Sequence, residues 1–315
     1  MARSSRARSD CGMNKSPALA SKRSGCPTCD PEPLSPRQRK ARARAQALLP
    51  IILAAPHALR PSLVPDFTSF AARYCNPRRT PFCAYDTRGS DRPRELKWLL
   101  SRAFEVRRKK LAVLPQLPPK MQRILYVEAD PAHRRELACL QDKFDAAMRT
   151  GSKLAQTLIM EMYRCTAHAK AQSAAALVAS KVQPGTLIFA HHQVVLDAMQ
   201  QALPGGMRVG RIDGRTSLPM RQRVVDGMQS GELDVALLSM GAAGVGLTLT
   251  RACVAFFLEI PWCPAVLRQC EDRIHRIGQE HSCTMYYVLA EKTLDSHVWR
   301  SIHRKERVAE RIGQA

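Results

Sequence analysis

Two stretches in the carboxyl-terminal half carry residue types at spacings suited to phosphate chemistry. In PAVLRQCEDRIHRIGQ (264–279), Gln269, Arg273 and Arg276 stand at i, i+4 and i+7. On a helix, at 100° per residue, that spacing puts two guanidiniums and an amide on one stripe. Guanidinium is permanently charged and bidentate toward phosphate oxygens, so the pair suits a phosphoryl group whose charge grows in a transition state. The competing reading is a solvated face on which Glu271 and Asp272 pair the arginines. Upstream, SMGAAGVGLTLT (239–250) sets Gly241, Gly244 and Gly246 just after an apolar run. Glycines at such a turn let backbone N–H groups come close to an anionic oxygen. The spacing is neither GxGxxG nor GxxxxGK[ST], so tight packing of a turn explains the loop as well, taken alone.

The elements that must position these loops follow from hydrophobic patterning. TLIFA (186–190), RVGRID (208–213), DVALLS (234–239), ACVAFFLE (252–259) and TMYYVLA (284–290) are short, nearly continuous apolar runs rich in β-branched and aromatic residues. Such runs suit strands buried on both faces of a parallel sheet. Between and after them, residues 194–203, 217–229, 264–278 and 293–313 have apolar positions at helical spacing. Ser217 before Pro219, and Pro264, read as helix starts, and Gly278 as a helix stop. On the helix 264–278, Val266, Leu267, Cys270, Ile274 and Ile277 are expected to face the sheet, with the glycine loop and the arginine stripe at one edge of it. The succession predicts an α/β fold, an open parallel sheet covered by helices, with ligands beyond the carboxyl ends of the strands.

Composition narrows the partner. Lys and Arg number 49 against 27 Asp and Glu, a formal charge of +22 in 315 residues. That excess points to a polyanion, either nucleic acid or an acidic membrane surface. No apolar run approaches the roughly 18 residues of a membrane span, and the start, MARSSRARSD, has no secretory apolar stretch. The protein is therefore expected to be intracellular, with its eleven cysteines mostly reduced thiols. Residues 1–47 hold eleven basic side chains and three acidic ones, with few apolar residues, and read as disordered. PRQRKARARAQ (36–46) fits a nuclear-import signal or a DNA-holding arm, with a mitochondrial transit peptide or a partnerless charged tail as competitors. Cys26 and Cys29 form a CxxC, but Cys75 and Cys83 are too widely spaced for the second half of a zinc site, so four unrelated thiols is the preferred reading.

At these residues the chain resembles a family. SMGAAGVGLTLT and QCEDRIHRIGQ (269–279) are similar to motifs V and VI of the second RecA-like lobe of superfamily-two helicases of the SWI/SNF type. TLIFAHH (186–192) resembles motif IV, and RIDGRT (211–216), with Arg221 after it, the next block. IPWCPAV (260–266) is similar to the segment leading into motif VI. FEVRRKKLAVLPQLPPK (104–120) resembles the stretch joining the lobes, with Ala112 in place of an acid. DFTSFAARYCNPRRTPF (66–82), FAHH and GLTLT resemble the annealing-helicase branch, which rewinds DNA at stalled forks.

The resemblance implies a RecA-like lobe with helices on both faces, ATP with Mg²⁺ as cofactor, DNA as partner and a nuclear site of action in fork remodelling and repair. It implies that Arg273 and Arg276 act as arginine fingers with Gln269 assisting, that Gly244, Gly246 and Asp272 lie at the nucleotide, and that Thr248, Thr250, Arg221 and His191 meet DNA. No protein metal ligands are implied, and protein partners are left unspecified. The chain is expected to divide into a disordered basic segment (1–56), the end of a first lobe with an inter-lobe helical region (57–150), a helical linker (151–183) and the lobe itself (184–315). The stretch 157–181, rich in Ala and Met, reads as the helical entry to that lobe.

The sequence contains neither a GxxxxGK[ST] loop nor an Asp-Glu-x-His box, the parts that hold ATP and Mg²⁺ on the first lobe of such motors. The expectation is a carboxyl half that is inactive alone and works beside a first lobe supplied in trans. The alternative is a non-catalytic DNA-binding module on the same fold. A Rossmann-type nucleotide enzyme would lack its fingerprint spacing and leave Arg273 and Arg276 without a purpose. Shorter signals each carry two readings. His191 and His192 point to opposite faces of a strand end, against a metal site. Trp262 suits stacking on a base or packing on a loop, Asp213 and Asp295 suit loop positioning or caps, and Arg107 to Lys110 suit a phosphate track or a solvated helix face.

Overall fold

A computed structural model describes residues 66–311, with residues 81, 82, 88, 104–107, 109, 151, 153, 244 and 245 excepted. The basic amino-terminal segment, the CxxC pair, Arg107, Lys109 and Gly244 therefore lie outside the described residues. The chain first forms α1 (Phe67–Tyr74), capped by Asp66, whose carboxylate accepts from the Ser69 backbone N–H. It continues through a short antiparallel ribbon of β1 (Arg78–Thr80) and β2 (Cys83–Asp86), then α2 (Pro93–Ala103) and α3 (Lys110–Val113).

Everything that follows wraps one sheet. In chain order the elements are β3 (Lys120–Val127), α4 (Pro131–Arg149), α5 (Leu154–Ala179), β4 (Thr186–Ala190), α6 (Gln193–Ala202), β5 (Val209–Ile212), α7 (Leu218–Ser230), β6 (Val235–Ser239), α8 (Met240–Ala243), β7 (Val254–Phe257), α9 (Pro264–Glu271), β8 (Cys283–Ala290) and α10 (Asp295–Arg311). The strands lie in the order β3-β8-β7-β4-β6-β5, and every neighbouring pair is parallel. Right-handed crossovers then decide which face each helix covers. The chain runs one way across the sheet from β3 to β4 and from β4 to β5, which puts α4, α5 and α6 on one face. It runs back from β5 through β6 and β7 to β8, which puts α7, α8 and α9 on the other.

The five strands read from hydrophobic runs all form within a residue or two of their expected places. TLIFA and VALLS are central and bury every side chain, as continuous apolar runs in a parallel sheet should. Across three strands Phe189, Phe257 and Tyr287 stack at centroid spacings of 5.0 and 5.3 Å. Their register, Phe189 to Phe257 to Tyr287, places them side by side.

A sixth strand was not expected. β3 lies in the stretch assigned to the inter-lobe helical region, yet it pairs with β8 along all eight residues. Its sequence, KMQRILYV, is an edge-strand sequence: most of it is exposed, and only Val127 is buried. Lys120, Gln122 and Arg123 break the continuous apolar signal that marks a central strand. The sheet therefore starts upstream of residue 184, and α4 and α5 contribute to its core through Leu137, Met162, Ala174, Ala175 and Val178.

Candidate functional site

The first correction concerns the arginine helix. α9 ends at Glu271, and residues 272–278 form turns instead of two further helical turns. Gln269, exposed on α9, consequently shares no helical stripe with Arg273 and Arg276. Ile277 is 72% exposed and does not face the sheet, whereas Leu267, Cys270 and Ile274 do their expected burying. Tertiary partners take the carbonyls that a continuing helix would use. The Arg273 carbonyl accepts from Leu249 N–H at 3.0 Å, and the His275 carbonyl accepts from Lys110 Nζ at 2.8 Å. Gln279 Nε2 donates to the carbonyls of Ile274 and Ala252. Gly278, at φ +94°, closes the turn against Thr250 and does not cap a helix.

This turn is laced to the end of the glycine loop. Arg276 Nη1 donates to Thr248 Oγ1 at 3.0 Å, and Arg273 Nη1 to the Leu247 carbonyl at 3.4 Å. Thr250 Oγ1 accepts from Gln229 Nε2 at 3.3 Å. Gly246 has φ +30°, a conformation glycine adopts at little cost, and no atom lies near its missing side chain. Both arginines are half-buried. Two guanidiniums, a hydroxyl and an open glycine backbone thus share one small surface, equipment for holding an anionic oxygen.

The location of that surface is the second correction. Ligand loops were expected beyond the carboxyl ends of the strands, and the glycine loop does leave β6 there. But a parallel sheet forces each connection to return to the opposite edge, so Thr248 and Thr250 lie just before β7, and Arg273 and Arg276 just before β8. The register of Val254 with Thr284 sets those strand starts side by side. The cluster sits at the amino edge.

The carboxyl edge carries a different constellation. Glu259, 1% exposed, follows β7 and accepts from the backbone N–H groups of His191 and His192 at 2.7 and 2.8 Å, and from His192 Nδ1 at 2.6 Å. Burial pushes the Glu259 carboxyl up, but the His192 hydrogen bond and charge, and then Lys170, outweigh it and hold it below its ordinary value. His191 is exposed, with Tyr163 against its ring at 5.7 Å. Trp262 packs against Tyr163 at 5.6 Å, in the loop-packing role. Asp213 folds its loop by accepting from Arg215 N–H and Thr216. Arg221 donates to the carbonyls of Thr216 and Asp213, so it shapes that loop. His191 and Arg221 are therefore separated from Thr248 and Thr250 by the length of a strand, roughly 17 Å. Asp295, for its part, is buried at the start of α10, where its carboxylate accepts from Lys170 Nζ at 2.7 Å and Ala290 N–H at 2.8 Å. It locks α10 to α5 and points at no loop.

Sequence reading missed the groups that brace the arginine turn. Lys110 pairs with Asp272, so the exposed Asp272 carboxylate is engaged from upstream. His275 Nε2 donates to the Pro118 carbonyl at 2.8 Å. The 2%-exposed Glu271 accepts from Lys120 Nζ at 2.6 Å and from Tyr287 Oη, with Gln122 bonded to both carboxylate and phenol. Lys110, Pro118 and Lys120 all come from the stretch read as a lobe junction. No pairing signal in the sequence links positions more than 150 residues apart, and Glu271, set among polar residues, carries no mark of burial.

A RecA-like lobe with paired arginines at its edge defines a class, and residues 169–278 match the family described as helicase conserved C-terminal domain. Over 270 residues, 82% of the chain, the sequence is 37% identical to the SWI/SNF-related matrix-associated actin-dependent regulator of chromatin subfamily A-like protein 1 of Xenopus tropicalis. Over 263 residues, 80% of the chain, it is 36% identical to the DNA annealing helicase and endonuclease ZRANB3 of Homo sapiens. The chain spans 28% and 24% of the lengths of these curated relatives. The crystal structure of the C-terminal part of the Fun30 ATPase domain matches 59% of this chain and 90% of its own, at a TM-score of 0.48 and 15% identity. The chain carries a helicase conserved C-terminal domain, and SWI/SNF-related proteins and annealing helicases are among its relatives.

Proposed function

We propose that this chain is the second lobe of an ATP-dependent DNA translocase of the annealing type, working in the nucleus at remodelled replication forks. The observation that carries the reading is the lacing of the glycine loop to the arginine turn through Arg276 and Thr248. That contact couples a group suited to phosphate with a loop suited to DNA.

In this reading ATP and Mg²⁺ are held by a first lobe outside this sequence. The described residues fit one part of that cofactor: the guanidiniums of Arg273 and Arg276 suit its terminal phosphate, while no described group of acidic, His or Cys side chains suits the metal. When bound, ATP would supply a terminal phosphoryl group, whose transfer to water breaks the phosphoanhydride bond, releases ADP and builds charge on the phosphoryl oxygens. Arg273 and Arg276 neutralise that charge, with Gln269 assisting from α9. Asp272 steadies the turn through Lys110. Gly246 and Gly244 shape the loop between nucleotide and DNA, Thr248 and Thr250 contact the DNA backbone, and His191 and Arg221 extend contact at the carboxyl edge. The lobe proper runs from β3 to α10, with 66–119 as its lead-in.

A non-catalytic DNA platform is the second reading, favoured by the fact that both guanidiniums already donate to loop oxygens. Arg276→Ala, assayed for DNA-stimulated hydrolysis with a first lobe supplied, separates the two. Loss on the order of 10³-fold, the scale of removing an arginine finger, supports catalysis. Weakened DNA binding with hydrolysis untouched supports the platform.

A further inference from the structure

A cavity of about 610 Å³ lies in a groove bounded by α4, α5 and the residues from Lys292 to Arg300 that follow β8 at the carboxyl edge. Its floor is apolar, formed by Leu137, Phe144, Ile159 and Met162. On α4, Leu137, Gln141, Phe144 and Met148 stand at i, i+4, i+7 and i+11, so the groove-facing stripe runs on past the cavity to Met148, 43% exposed. That stripe is about 16 Å long, three helical turns.

The rim has one sign of charge. Arg134, Lys292 and Arg300 line it and no Asp or Glu does. The nearest carboxylate partner, Glu128, stands 3.9 Å from Arg134 and is itself 93% exposed. His297, also on the rim, titrates below its ordinary value, first through burial and then through the charges of Arg300 and Arg304. Lys292 sits at φ +56°, a left-handed conformation that an L residue other than Asn or Asp rarely takes. The tight turn that holds it there, closed by Thr293 Oγ1 donating to the Ala290 carbonyl, delivers its side chain to the rim.

We infer that this groove is a docking site for an acidic, amphipathic peptide segment of a partner protein, with apolar anchors at helical spacing seated between α4 and α5 and carboxylates meeting Arg134, Lys292 and Arg300. Helix-in-groove recognition uses this combination of an apolar floor and a charged rim. Charge also excludes two other occupants. Residues 1–47 of this chain carry a surplus of eight positive charges, and a second copy brings +22, so both would be repelled from a cationic rim.

The test is fluorescence anisotropy on the full chain at about 0.15 M salt, where long-range attraction is screened beyond roughly 8 Å. The probe is a labelled peptide of about 16 residues with Leu and Phe at i, i+3, i+4 and i+7 and Glu elsewhere. The control has the same Glu content with Ser at the apolar positions. Tenfold or greater preference for the apolar-anchored peptide, and tenfold or greater loss of it in the double variant Lys292→Glu/Arg300→Glu with DNA affinity changed less than about threefold, are expected. Both substituted residues are exposed, and an unchanged melting temperature checks the fold. Equal binding of the two peptides, or an unchanged affinity in the double variant, overturns the proposal. Parallel loss of peptide and duplex-DNA affinity also overturns it and assigns the rim to nucleic acid. None of these readouts depends on hydrolysis or on a first lobe.

Discussion

At the scale of single residues, the most consequential side chain is one that does no phosphate chemistry. Glu271 directly precedes the turn bearing Arg273 and Arg276, and its buried carboxylate gathers Lys120, Gln122 and Tyr287. Glu271→Gln keeps the shape but leaves Lys120 without its counter-charge and forces an amide N–H₂ onto groups that now donate. Removing one partner of a buried pair costs about 3–5 kcal/mol, and Lys120, partly exposed, regains some hydration. The expected loss is therefore about 2–3 kcal/mol in urea unfolding. An unchanged midpoint would show that the network contributes nothing net.

At the scale of elements, what matters is where α9 stops. Local periodicity favours a helix to Gly278, yet the captured carbonyls of Arg273, Ile274 and His275 hold a compact turn in its place. Gly278 at φ +94° is needed for that turn, whereas Gly241, on helical backbone in α8, has its nearest neighbour for an added Cβ at 4.0 Å. Gly278→Ala is expected to destabilise by about 1–2 kcal/mol, the cost of a strained left-handed residue. Gly241→Ala should be neutral or stabilising by up to about 1 kcal/mol. Thermal melts of the two variants check the contrast, and equal shifts would refute it. The same scale explains β3: an edge strand needs only one paired side, so its sequence carries polar residues and no distinctive run.

At the scale of the whole molecule, the two ends of the strands hold separate sets of groups, and the carboxyl edge ties strands β4 and β7 together through Glu259. Its carboxyl titrates below its ordinary value, so its contribution to stability is present above the unfolded value near 4.5 and is lost as pH falls through the lower folded one. Wild-type stability should exceed that of Glu259→Gln at pH 7, with the gap narrowing between about pH 5 and 3. A gap independent of pH across that interval would rule out the carboxylate as its source. Charge acts at this scale too. Of the +22, residues 1–47 carry +8, leaving +14 on residues 48–315, so basicity is not confined to the amino-terminal segment.

By itself the sequence determined the class of fold, five of the six strands of the sheet and the pairing of a glycine loop with two arginines, because apolar runs and motif spacing leave local marks. Tertiary structure alone decided that Thr248 and Arg276 meet at the amino edge, that α9 ends at Glu271, and that Lys110, Pro118 and Lys120 brace the arginine turn. Those outcomes depend on hydrogen bonds between segments up to 165 residues apart. Local periodicity holds no information about which distant donor reaches a given carbonyl, and it is those donors that turn a helical pattern into a turn.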